Sequence, residues 1–483
     1  MARTPRGRKP KAPPATDPID NVGTTELEAP VFSQPAPTPD PVQFEVKHPS
    51  DNPIYKQIDA LNREHKLTTI PFPPPRDFPE PKLSLAAVLN IPQADLDNQI
   101  KKNGQLVFHS TGDTGNTRGP TDQNLVADKL VSDFSDYDVE DRPLFFFHLG
   151  DVIYSFGEAQ YYPDQFYEPY RNYPGPIIAL AGNHDGMVAP GTKVATLAAF
   201  LENFCASPPG FHVAPEAGGL SRTAQIQPGV FFTFEAPMLR ILALYSNTLE
   251  DPGVIADSHI GHSQLDYLKA ALARVKSDAF KGALILAHHH PAYTAGSQHG
   301  WSTDMLAQID KVCNDAGLWP HAVLSAHAHN RFTRVRGQTQ IPYIICGNGG
   351  HGLAKLRQKG ASPLRTPQPL EVPKGTDKVI LENYDDEDFG YLRVLVTPTQ
   401  LRIEYHPASD GTGAKTPDDF VTVDLATQAR ALHRRLDAAR ACGCRLQPHT
   451  VAAAPYPGPR PNPPARPTAS PTCSSSRRIR SCS

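Results

Sequence analysis

Apolar residues in the middle of the chain come in short runs closed by glycine, aspartate or histidine. These runs are Leu106–Phe108, Leu144–Phe147, Ile177–Leu180, Ile241–Tyr245, Ala283–Leu286, Ala322–Leu324 and Tyr343–Ile345. Brief continuous runs of this kind are what strands buried on both faces look like. Between them, apolar residues at spacings of three and four predict helices over Asn124–Phe134, Val194–Phe204, Gln264–Val275 and Met305–Ala316. The alternation predicts an α/β domain. Further on, Tyr391–Val396 and Leu401–His406 read as a hairpin, and before the domain Ile54–Lys66 reads as a short amphipathic helix.

The pattern sets the expected boundaries. Residues 1–45 are Pro-rich, hold few large apolar residues and read as a disordered basic tail. Residues 46–100 read as an irregular extension, 101–425 as the folded domain, and 426–483 as a low-complexity tail. The odd Arg, Ala, Cys and Pro character of that last stretch is also what a shifted reading frame would give. A Pro-rich segment, Lys355–Glu382, reads as an irregular insertion within the domain.

Composition changes this picture little. Formal net charge is −3, against a surface built wholly for nucleic acid or anionic membrane. Pro5-Arg6-Gly7-Arg8-Lys9-Pro10 has the form of a short minor-groove hook, but one copy in a basic tail is most simply a solvated tail, and nucleic acid is not an expected partner. No apolar run approaches the ~18 residues of a membrane span. No apolar leader follows the basic start, so the expected location is cytoplasmic. Of seven cysteines, Cys205, Cys313 and Cys346 fall in apolar segments and read as buried free thiols.

The residues with chemical potential follow the strands. They are Gly112-Asp113-Thr114-Gly115, Gly150-Asp151-Val152-Ile153-Tyr154, Gly182-Asn183-His184-Asp185, His288-His289-His290-Pro291 and Ala326-His327-Ala328-His329. In open α/β sheets the crevice beyond the carboxyl ends of the strands gathers such loops into one site. Each motif alone is as well explained by a turn, a cap or a satisfied histidine. The ordered series is not.

That series resembles the calcineurin-like metallophosphoesterase superfamily, and within it the purple-acid-phosphatase-like branch. The superfamily pattern places a histidine where this chain has Gly115, and the branch instead uses a tyrosine, here Tyr154, three residues after Asp151. The resemblance covers about residues 105–406. It implies a four-layer αββα sandwich with two central mixed sheets. It further implies that Asp113, Tyr154 and His329 hold a first metal, that Asp151 bridges, and that Asn183, His289 and His327 hold a second. His289 is chosen among the three histidines because the family ligand stands two before a proline. Ala326 departs from the glycine with which the last motif normally begins.

Aspartate and asparagine oxygens with histidine nitrogens suit Fe, Mn or Zn. A phenol titrates near pH ~10 in water, so binding it as phenolate demands a strongly acidic ion, best met by Fe(III), with Fe, Zn or Mn in the second position. The expected reaction is attack of a metal-bound hydroxide on the phosphorus of a phosphate ester. His184 would polarise the phosphoryl oxygen or protonate the leaving group, oriented by Asp185. Arg118, His288, His290 and His351 are weaker substrate-binding candidates. A phosphomonoesterase is the first expectation. A phosphodiesterase acting on cyclic nucleotides or phospholipid headgroups is the alternative, and a non-catalytic metal- or phosphate-binding protein the rival from another class.

Overall fold

The computed structural model describes residues 73–431 apart from 118, 155, 188–194, 208–223, 247–252, 259, 296–300, 328, 337–338, 354, 357–363 and 373–376; for 329–336 and 430–431 it describes backbone only. The helix expected over Ile54–Lys66, the basic hook and the tail from residue 432 lie outside the described residues.

Among the described residues the strands form two sheets. One has nine strands in the spatial order β1 (Lys82–Ser84), β5 (Phe232–Ala236), β6 (Leu239–Ala243), β7 (Ala283–Ala287), β8 (Ala322–Ser325), β10 (Thr339–Cys346), β9 (His329–Arg336), β12 (Lys378–Asn383) and β11 (Gln368–Pro369). The other has seven: β16 (Arg430–Ala431), β15 (Asp419–Asp424), β14 (Gln400–Pro407), β13 (Gly390–Val396), β2 (Leu106–Thr111), β3 (Phe146–His148) and β4 (Ile177–Ala179). The helices are α1 (Leu85–Leu89), α2 (Gln93–Asn103), α3 (Thr121–Asp136), α4 (Asn183–Gly186), α5 (Ala198–Phe204), α6 (Ser263–Ser277) and α7 (Thr303–Ala316).

Strand parity shows how the layers stack. Phe108, Phe145, Phe147 and Ile178 of one sheet share a core with Ile241, Ile285, Ala287 and Leu324 of the other. Their alternate neighbours Phe146, Ile177, Leu242, Leu284, Leu286 and Val323 belong to a second core with helical residues Val126, Leu130, Leu268, Leu272 and Ile309. Each sheet is therefore buried on both faces, which is why its strands read as unbroken apolar runs. The result is a four-layer arrangement, helices outside and sheets inside. Each large apolar side chain so buried stabilises the fold by roughly 1.5–3 kcal/mol.

Helix ends follow local chemistry. The Ser302 hydroxyl accepts the Met305 N–H at 3.1 Å to start α7, and Gly317, at φ 60°, stops it in the left-handed region. Along α6, Tyr267, Leu268, Ala271, Leu272 and Val275 make the buried stripe.

Two stretches read as irregular join the sheets. β1 pairs in parallel with β5, Lys82 opposite Thr233, and Leu85, Val88, Leu96 and Ile100 of the two following helices enter the core between the sheets. β12, inside the Pro-rich insertion, pairs antiparallel with β9. β1 is three residues long and both strands flank Pro-rich text, so their pairing comes from tertiary contact and not from local pattern. The expected hairpin is β13–β14, with Val394 opposite Ile403.

Strand polarity places the loops. β2, β3 and β4 run parallel, with Thr111 level with His148 and His148 with Ala179. In the other sheet β6, β7, β8 and β10 run parallel, with Ala287 level with Leu324 and Ser325 with Ile345.

Candidate metal centre

The loops that leave these level strand ends carry the five motifs, and backbone hydrogen bonds lace them together. The Asp113 N–H reaches the Gly150 carbonyl at 3.0 Å, Thr114 that of Asp151 at 3.1 Å, and Ala326 that of His289 at 2.9 Å. Gly112 reaches Cys346 at 2.9 Å and His351 reaches Asp113 at 2.9 Å, which brings in the loop after β10.

Asp113, Asp151, His289 and His327 each offer a ligand atom, and these atoms lie within 4.8 Å of one another. The Tyr154 hydroxyl is 2.8 Å from Asp113 Oδ1 and 2.8 Å from Asp151 Oδ2. His289 Nε2 lies 3.3 Å from Asp151 Oδ2 and 3.1 Å from Asn183 Oδ1. Its Nδ1 donates to the Leu149 carbonyl at 2.9 Å, which fixes the ring and leaves Nε2 turned toward the carboxylates. A backbone carbonyl behind the ring is the usual support for a ligating histidine. Six expected ligands are thus brought together. The backbone of His329 opens β9, opposite Cys346, and its side chain lies outside the described residues.

Backbone strain concentrates here. Asp113, Asp151 and His327 sit at φ 55°, 54° and 67°, in the left-handed region that non-glycine residues seldom adopt. Such conformations cost of order 1–3 kcal/mol each and persist where the surroundings over-determine them. Gly150, at φ 97°, lets the chain pass His289: a Cβ there would stand 2.7 Å from the ring Nδ1. The methyl of Ala326 is accommodated because its neighbour is Gly112, where an added Cβ would meet it at 2.6 Å.

Electrostatics favour a cation. Burial, reinforced by the Asp151 charge and opposed by His289, raises Asp113 to about 7. Burial would also raise Asp151, but His289, His184 and His327 together outweigh it and hold this carboxyl well below its usual range. Burial lowers His289, yet the Asp151 and Asp113 charges win and lift it to about 10. Burial, with both carboxylates, pushes Tyr154 well above 10. Two carboxylates side by side with a protonated imidazole and a protonated phenol is the arrangement in which divalent or trivalent ions replace protons. The donor set fits the metals expected from it.

The neighbouring candidates divide. His184 gives its backbone N–H to Asp151 Oδ1 at 2.9 Å, and its ring lies 4.3 Å from that of Tyr154. Asp185, expected to orient His184, instead points back at the chain. Its carboxylate accepts N–H groups from Gly182 at 2.8 Å, Val152 at 3.0 Å and Ile153 at 3.3 Å, so it ties the loop after β4 to that after β3. His288 is fully buried, with its Nδ1 held 2.6 Å from the His290 carbonyl. His290 Nδ1 is 2.8 Å from the Ser246 hydroxyl, with its ring 5.1 Å from that of His327. His351 stacks on Tyr154, ring centroids 3.4 Å apart and planes 8° from parallel. Arg118 lies outside the described residues.

Two residues that motif reading passed over support the site. His148 accepts the Gly150 N–H on Nδ1 at 3.2 Å and meets the Thr114 hydroxyl through Nε2 at 2.9 Å; burial lowers it to about 3, so it serves as a neutral brace. Gln165 holds the main chain of Tyr154 at both its N–H and its carbonyl.

No curated protein matches the chain in sequence. Among solved structures, it is similar to one described as GAP50, the anchor in the inner membrane complex of Plasmodium, at 16% identity over 64% of this chain and 86% of that one, with a TM-score of 0.42. It is also similar to a structure of PhoD at 12% identity over 68% and 71%, TM-score 0.41. Among the described residues no helix is long and apolar enough to cross a membrane. The family model for calcineurin-like phosphoesterase matches residues 111–331, a span that holds every residue of the Asp–His cluster. Over that span the chain is similar to the calcineurin-like phosphoesterases.

Proposed function

We propose that this chain is a purple-acid-type phosphomonoesterase that works with two metal ions, Fe(III) in the first position and Fe, Zn or Mn in the second. Asp113, Tyr154 and His329 are assigned to the first ion, Asp151 to both, and Asn183, His289 and His327 to the second. The observation that carries this reading is the Tyr154 hydroxyl, 2.8 Å from a carboxylate oxygen of both Asp113 and Asp151. A phenol placed there distinguishes this centre from one built on aspartate and histidine alone.

When bound, such ions would supply positive charge for the phosphoryl oxygens and lower the pKa of a water toward ~7. The chain's own residues set the geometry. Asp151 is held by the His184 N–H, and His289 is held by the Leu149 carbonyl, so neither needs to reorganise as charge develops. The His184 ring, beside Tyr154, donates a proton to the departing oxygen. Asp185 contributes by fixing the loop on which Asn183 and His184 stand.

The test is hydrolysis of an aryl monophosphate against a bis-aryl phosphate by protein loaded with Fe and Zn. The reading predicts a visible phenolate-to-iron absorption, monoester preference, and no turnover above background in Asp151→Asn. Diester preference would make the enzyme a phosphodiesterase. No turnover of either ester would leave a binding protein.

A further inference from the structure

We infer that Gln165 is a positioning residue for Tyr154, and that Gly115, Gln165 and Tyr154 form one unit: the glycine makes the space through which the glutamine holds the tyrosine. This rests on the reading of Tyr154 as a metal ligand and deepens it.

The contacts are specific. Gln165 Oε1 accepts the Tyr154 N–H at 2.8 Å, and its Nε2 donates to the Tyr154 carbonyl at 2.6 Å. One side-chain amide thus satisfies both main-chain groups of a single buried residue, as a neighbouring strand would, and it fixes the direction in which the phenol leaves the backbone. Gln165 is buried, in the π-helical turn Pro163–Tyr167, where the Glu168 N–H reaches back to the Pro163 carbonyl at 2.9 Å. Single π-turns of this kind recur at functional sites.

Sterics connect the glutamine to position 115. A Cβ on Gly115 would stand 2.5 Å from Gln165 Oε1 and 2.7 Å from the Ile153 Cα. It would also stand 2.7 Å from the Val152 carbonyl oxygen, so no residue with a side chain fits beside the clamp and the main chain of Val152 and Ile153. The absence of a histidine at 115 and the presence of a tyrosine at 154 are therefore two sides of one packing solution, and Gln165 is its third member. The clamp is itself held. Gln123 donates to the Gln165 carbonyl at 2.7 Å, and it packs where a Cβ on Gly350 would approach its Cα to 2.5 Å. The next residue, His351, covers the Tyr154 ring.

The test compares iron-loaded wild type with Gln165→Leu, which removes both contacts, and Gln165→Glu, which keeps an acceptor for the N–H but loses the donor to the carbonyl. The readouts are the position and intensity of the phenolate-to-iron band, and iron affinity by competition with a chelator. The expected result for Gln165→Leu is a shifted or at least twofold weaker band with iron bound about tenfold more weakly, the scale set by losing two hydrogen bonds of modest net strength. Gln165→Glu should fall between the two. Should Gln165→Leu fail to fold, Gln165→Met removes the same two contacts at nearly the same volume and should move the same band, as should Gly115→Ala, whose methyl presses on the clamp and on the main chain of Val152 and Ile153. A wild-type band in a folded, iron-loaded Gln165→Leu or Gly115→Ala would overturn the inference. No band in iron-loaded wild type would remove Tyr154 as a ligand, and the inference with it.

Discussion

A single methyl group at Gly182 should disable the centre. A Cβ built there would lie 2.1 Å from Asp151 Oδ1, 2.4 Å from the Asp151 nitrogen and 2.7 Å from its Cγ. Carbon and oxygen settle at about 3.3 Å or more, so the carboxylate or its loop would have to retreat by roughly 1.2 Å. The loop has little room to move. Asp151 already holds a left-handed backbone, and the adjacent Val152 and Ile153 amides are tied to Asp185. A displacement of about 1 Å at a reacting centre costs on the order of a hundredfold in rate, and forcing atoms into a packed site costs roughly 1–3 kcal/mol of stability. Gly182→Ala is therefore expected to lower kcat/KM on an aryl monophosphate about a hundredfold, with a modest fall in Tm. Gly413→Ala, where an added Cβ meets nothing within 4 Å, is the matched control and should behave as wild type. Folded, metal-loaded Gly182→Ala with kcat/KM within about threefold of wild type would refute the claim that Asp151 must stand where it does.

Other expectations follow from the same contacts. Gly112→Ala should destabilise the protein, and the double variant with Ala326→Gly should recover part of the loss, because the new methyl would meet that of Ala326 at 2.6 Å; thermal denaturation of the two variants decides it. Asp185→Ala should cost stability and metal affinity together, since three buried N–H groups lose their acceptor at about 1–3 kcal/mol each; a loss of activity with stability intact would instead restore its role toward His184. Burial alone would raise Glu404, but His406, Arg402 and Arg393 hold it down at about 2 against an ordinary 4.5. A depressed carboxyl stabilises the fold above pH ~4.5, and this contribution, at most about 3 kcal/mol, is lost as pH falls toward about 2. Urea denaturation between pH 6 and pH 2.5 should therefore show a shallower acid loss in Glu404→Gln; an unchanged slope would contradict the assignment.

Much of this architecture is legible in the amino-acid sequence because of burial. Strands covered on both faces leave unbroken apolar runs such as Ala283–Leu286, and parallel pairing then forces the polar residues that follow onto one rim. What escaped was set by tertiary contact. Lys82–Ser84 is three residues long and becomes a strand because β5 is there to pair with it. Asp185 stands next to His184 in sequence, and only the turn of α4 directs its carboxylate to the amides of Gly182, Val152 and Ile153 instead. Gln165 lies 11 residues from Tyr154 in an irregular turn, with no spacing to mark it. The left-handed backbone of Asp113, Asp151 and His327 has no sequence signature either, since aspartate and histidine are ordinary after a strand.

The proposed chemistry requires two cations sharing the carboxylate of Asp151. Anomalous diffraction from crystals of the metal-loaded protein, recorded at the iron and zinc edges, tests this most directly. It should show two peaks flanking that side chain, iron on the side of Tyr154. A single peak, or peaks away from Asp151 in protein that still hydrolyses phosphate esters, would contradict it.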